Sequence, residues 1–102
     1  MDILQTSMSI IAGAGDAKSC AMEAIYSARE GNYEEARISL EKAKEALRDT
    51  HSIQTDLITK EMQGEKMELA LIMVHAQDHL MSAVLIKDLA AEIVTMYERF
   101  TK

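Results

Sequence analysis

The chain has 102 residues, 48% of them apolar and 27% charged, with no proline, four aromatic residues and a formal charge of −6. That length supports a single domain with a modest core of its own. The scarcity of aromatic and β-branched residues argues against a β-sandwich or barrel, and the acidic balance argues against nucleic acid as a partner. Fourteen alanines and eight methionines among many Glu and Lys residues favour long helices. The single cysteine, Cys20, has no partner for an intrachain disulfide, which suits a reducing cytosol. The first residues lack the basic start and apolar run of a signal peptide, and the most apolar stretch, Leu69 to Val74, is too short to span a bilayer. A cytoplasmic location is therefore expected.

Two glycines divide the chain into three helices, expected at about residues 3–29, 33–62 and 67–100. Gly31 suits the left-handed position past a helix end, and Asn32, with Glu35 three residues later, reads as a capping box. Gly64 ends the second helix. The third would extend roughly 50 Å at 1.5 Å per residue. In the first helix Ile3, Ser7, Ile10, Ala14, Ala17, Ala21, Ala24 and Ala28 recur at helical spacing and form a small-residue face. Leu4, Met8, Ile11, Met22 and Ile25 form a bulkier face beside it. The second helix points Tyr33, Ala36, Leu40, Ala43 and Leu47 inward and Glu34, Glu41, Glu45 and Arg48 outward. The third is apolar around almost its whole circumference from Leu69 to Leu89, more than one neighbour in a monomer can cover, and this favours an oligomer.

Polar residues interrupt these stripes in one layer. Thr50, His51 and Gln54 continue the inward track of the second helix, and His75, Asp78 and His79 interrupt the third. If the two helices run antiparallel from a turn near residue 64, facing residues have numbers adding to about 129. His51 then lies level with Asp78, and Gln54 with His75. The first turn similarly places Gly13 and Gly15 beside residues 48 to 50.

His75, Asp78 and His79 share one helix face. Two histidines four apart have the spacing of a zinc chelate, but Ala76 stands where a zincin carries its glutamate, and no third ligand is evident. A neutral imidazole at His75 could instead accept a phosphoryl or acyl group. Gly13-Ala14-Gly15 lacks the lysine and preceding strand of a phosphate loop. The third possibility is purely structural, with the histidines as hydrogen-bonded core residues. Asp78 lies in an apolar seam with Leu71, Val74, Met81 and Leu85. There it either bonds within its own chain, for instance to His51, or shares a hard cation such as Mg²⁺ with copies of itself on an oligomer axis. Cys20 reads as a buried small residue rather than a reactive thiol. Met67, Met73 and Met81 read as core.

The stretch Val74-His75-Ala76-Gln77-Asp78-His79-Leu80-Met81 resembles the enzyme IIA component of the lactose/cellobiose branch of the bacterial phosphoenolpyruvate-dependent sugar phosphotransferase system. The likeness extends to Ala14-Gly15-Asp16-Ala17, Gly31-Asn32-Tyr33 and His51-Ser52-Ile53-Gln54-Thr55. It implies an all-α, antiparallel three-helix protomer assembling into a nine-helix homotrimer. It implies a phosphotransferase component in which His75 takes a phosphoryl group from the carrier HPr and passes it to a cysteine of enzyme IIB. Asp78 would lie on the three-fold axis and share a divalent cation, and no organic cofactor is implied. His79 and Gln77 would support the transfer, His79 as a donor to phosphoryl oxygens. Two other readings stand beside this one: a structural trimeric helical module, and a His/Asp metalloenzyme.

Overall fold

The computed structural model describes residues 2–101. Three helices follow in order, α1 (Ile3–Arg29), α2 (Tyr33–Met62) and α3 (Leu71–Phe100), with no strand among the described residues. They form an antiparallel up-down-up bundle, 56 Å in its longest dimension. Asp2 caps α1 by accepting from the Gln5 amide at 3.1 Å. Gly31 and Gly64 adopt positive φ, at 82° and 92°, and end α1 and α2 as their positions implied. Asn32 is the N-cap residue of α2, but its side chain makes no capping bond, so the expected capping box is not formed. Glu34 and Glu35 still favour the positive end of that helix.

The third helix starts four residues later than its sequence suggests. Residues 65–70 are irregular, although Lys66, Met67, Glu68, Leu69 and Ala70 are good helix formers. Met67 explains the difference. Its side chain packs against the core across the end of the bundle, beside Ile3, Leu57 and Met73, and a tertiary contact outweighs local propensity. The longer connection shifts the register. Tyr33 donates its hydroxyl to the Tyr97 carbonyl at 3.3 Å, and Gln54 Nε2 donates to Gln77 Oε1 at 2.6 Å. Gln54 therefore meets Gln77 rather than His75. His51 is exposed and lines a shallow cleft with Leu47, Val84 and Lys87, away from Asp78.

The small-residue face of α1 is the centre of the molecule. Ser7, Ile10, Ala14, Ala17, Ala21, Ala24 and Ala28 are all buried, opposed by Ala36 and Ala43 of α2 and by Ala76, Ala83 and Ala90 of α3. Alanine contacts let helix axes approach closely, but each contributes little apolar area. Many of the larger apolar side chains consequently lie outside, while Ile10, Leu47, Leu57 and Leu80 are buried. Leu71 is 84% exposed, Leu85 59% and Met81 57%, with Leu4 and Met8 of α1 also exposed. Met73 is buried and Met67 partly so, as expected of core, whereas Met81 is open to solvent.

Close approach is most demanding at Gly13. A Cβ there would overlap Thr50 Oγ1 and lie 3.1 Å from Thr50 Cβ. The Thr50 hydroxyl donates to the Ala46 carbonyl at 2.8 Å, which fixes its rotamer and leaves no room. Gly15 has no atom within 4 Å of a built Cβ, so packing within the chain does not require it. Gly13→Ala is expected to lower stability by about 1–2 kcal/mol, an overpacking cost larger than the gain in helix propensity. Thermal unfolding checks this, and Thr50→Ala in the same chain should recover most of the loss.

Candidate functional site

The candidate site lies on α3 near its N-terminal end. The ring centroids of His75 and His79 are 4.5 Å apart, with planes at 88°. One helical turn separates them, so the helix itself sets this edge-to-face contact. His75 is exposed and borders a shallow apolar depression formed with Leu71 and Ile72. A protein partner can therefore reach its ring. His79 is partly buried, and its Nδ1 lies 2.9 Å from Nζ of Lys18 on α1. Ser82 donates to the His79 carbonyl at 3.0 Å and leaves the ring untouched.

Gln77 is partly buried on a different face of α3. Its Oε1 accepts from Gln54, and its Nε2 donates to the Met73 sulfur at 3.4 Å. Ser7 of α1 donates to the same sulfur at 3.8 Å. These contacts join all three helices at the level of the histidine pair's helix turn but on another face of α3. Gln54, Gln77 and Met73 also line a groove of about 310 Å³ with Leu57, Ile58 and Leu69.

Asp78 is exposed, on the outward seam between Val74 and Met81. The ion pairs among the described residues join Arg29 with Glu30, Arg37 with Glu34 and Glu98, and Lys87 with Asp88. Asp78 takes part in none, and the suggested bond to His51 is not made. Among the described residues no three His, Cys, Asp or Glu side chains gather as a metal site. One nitrogen of His79 is engaged by an ammonium group as well, so the geometry gives no support to a two-histidine chelate. Chemically, the arrangement offers an exposed imidazole beside a second imidazole whose Nδ1 is engaged by an ammonium group.

Sequence reasoning missed Lys18. It follows the Ala14-Gly15-Asp16-Ala17 motif but shares no periodic stripe with the histidines. Only the parallel packing of α1 on α3 brings it to His79.

Residues 5–98 match the family model described as "PTS system, Lactose/Cellobiose specific IIA subunit". The chain belongs to the lactose/cellobiose-specific IIA family of the phosphotransferase system. It is 53% identical over 93 residues to the lichenan-specific phosphotransferase enzyme IIA component of Bacillus subtilis, a match covering 91% of this chain and 84% of that protein. The crystal structure of the cellobiose-specific enzyme IIA of Bacillus anthracis superposes with a TM-score of 0.94 at 42% identity, covering 97% of this chain and 91% of that one. The chitobiose IIA of Escherichia coli, solved in complex with HPr, superposes with a TM-score of 0.86 at 30% identity, covering all of this chain and 99% of that one. No helix here is long and apolar enough to cross a membrane among the described residues.

Cys20 is partly buried on α1. Burial pushes its thiol up, Glu23 and Asp16 push in the same direction, and Lys42 opposes them. A raised pKa leaves less thiolate at neutral pH, and the thiolate is the reactive form. Alkylation by iodoacetamide at pH 7.5 should run slower than for an exposed cysteine peptide, rising as the pH is raised. Equal rates would show an accessible, unperturbed thiol.

Proposed function

We propose that this IIA protein is a cytoplasmic phosphocarrier whose phosphoryl acceptor is His75. The observation that carries the reading is the position of the His75 ring, exposed on α3 and edge-to-face with His79 at 4.5 Å. A lone pair on an unprotonated ring nitrogen attacks phosphorus as the nitrogen–phosphorus bond of phospho-HPr breaks, and the HPr imidazole leaves with that bonding pair. In the second transfer, the thiolate of an enzyme IIB cysteine forms a sulfur–phosphorus bond, and the pair from the broken nitrogen–phosphorus bond returns to His75. Both steps conserve one phosphoryl group, and neither needs a general base if the nucleophile starts unprotonated. Catalysis then rests on positioning and charge dispersal. The solved complex of the chitobiose relative with HPr supports HPr as donor. Family membership supports an enzyme IIB as the acceptor and a lactose/cellobiose-type sugar as the one served.

His79 would donate a hydrogen bond to the phosphoryl oxygens, while Gln77 would act at one remove, holding α2 against α3 at the level of the site. Incubation with phosphoenolpyruvate, enzyme I and HPr should add one acid-labile phosphoryl group, visible by intact mass at neutral pH. His75→Ala should abolish it. An adduct that persists in that variant contradicts the assignment, and no adduct at all would leave a structural helical module as the better reading.

The working unit is proposed to be a homotrimer. Leu71, Val74, Met81, Leu85 and Met96 lie exposed along one helix, a larger apolar face than a soluble monomer usually leaves open. Asp78 stands in the middle of that face. Its carboxylate oxygens suit a hard divalent cation, and one chain supplies a single ligand, so Asp78 from each of three copies would hold an axial Mg²⁺. The cation would neutralise three carboxylates brought together on a dry axis. Sedimentation at micromolar concentration should give a trimer, and a monomer would refute this proposal. Asp78→Leu should preserve the trimer while abolishing Mg²⁺-dependent changes in its melting temperature, because an apolar axis needs no counterion.

A further inference from the structure

We propose that Lys18 is a positioning residue for phosphoryl transfer, acting through His79. The assignment rests on the reading of His75 as the phosphoryl acceptor. An ammonium group has three donor hydrogens and no lone pair, so at 2.9 Å His79 Nδ1 is the acceptor of a bond from Lys18. A neutral imidazole whose Nδ1 accepts carries its proton on Nε2. The contact thus selects one tautomer and leaves Nε2–H as the ring's only polar hydrogen. The other tautomer would present a lone pair at Nε2, which repels a phosphoryl oxygen instead of binding it.

The setting favours this function over a simple tie between helices. The His79 ring stands edge-to-face with His75, its Nδ1 is 2.9 Å from Lys18 Nζ, and Ser82 binds only the His79 backbone carbonyl. Lys18 is partly buried, and among the described residues it forms no ion pair with a carboxylate. Its charge is therefore directed to the imidazole. As negative charge arrives on His75, the cation bound to His79 polarises the Nε2–H donor toward it.

The test combines spectroscopy with a mutant cycle in the full chain. Long-range proton–nitrogen correlation spectra of the ¹⁵N-histidine-labelled protein should show His79 as the Nε2–H tautomer, becoming a mixture in Lys18→Met. The same substitution should slow phosphoryl transfer from HPr to His75 roughly tenfold or more, the size of one charge-assisted hydrogen bond lost in the transition state. Placed in a His79→Ala background, Lys18→Met should cause no further loss, and Lys18→Arg in the natural background should retain most of the rate. A His79 found as the Nδ1–H tautomer overturns the proposal. So does an unchanged rate in Lys18→Met, or a full additional loss in the His79→Ala background. Absence of any adduct on His75 in the unsubstituted protein instead overturns the phosphocarrier reading, and the Lys18 assignment with it.

Discussion

Alanine at nearly every contact point of α1 sets the spacing of this bundle, and the remaining features follow from that spacing. With Ala14, Ala17, Ala21, Ala24 and Ala28 buried against alanines of α2 and α3, the helices approach as closely as their backbones allow. Alanine methyls share the interior of the chain with a few larger side chains, among them Ile10, Leu57 and Leu80. Several large side chains of α3, Leu71, Met81 and Leu85 among them, face outward, whereas Leu80 and Val94 stay inside. A poor internal core and a rich external face are two consequences of one choice of residue.

The same spacing builds the site. Close contact between α1 and α3 lets a lysine side chain on one reach an imidazole on the other. On another face of α3, Ser7, Met73, Gln77 and Gln54 link the three helices through a sulfur and two amides. A site built on helices has little freedom to wander, which would suit the proposed phosphoryl transfer, a reaction governed by orientation. His75 is exposed, which suits the proposed role of a carrier that meets two different proteins.

Much of this architecture was legible in the residues. The inward track of α1 from Ser7 to Ala28 is the buried set in the structure, and Gly31 and Gly64 mark the ends of α1 and α2. Gly13 meets Thr50, within the range its antiparallel register indicated. Where the reading failed, a tertiary contact overrode a local pattern. Lys66 to Ala70 have the composition of a helix, yet Met67 is drawn into the core and delays the start of α3. That delay moves Gln54 onto Gln77 and leaves His51 without the Asp78 contact. The Asn32 side chain fits a capping box but makes no such bond. Lys18 was invisible because its significance lies in the distance between two helices, and no spacing along one helix encodes it. His75 was singled out by its local octapeptide, and family resemblance supplied the proposed phosphoryl chemistry that periodicity alone left among three alternatives.

The most direct measurement is the location of phosphorus in the protein after transfer from HPr. Phosphorus–nitrogen correlation spectroscopy of the ¹⁵N-histidine-labelled phosphoprotein distinguishes the three imidazoles at His51, His75 and His79. Phosphorus coupled to a ring nitrogen of His75 alone is the predicted result. Coupling to His79 or His51, or phosphorus on a side chain other than histidine, would contradict the account.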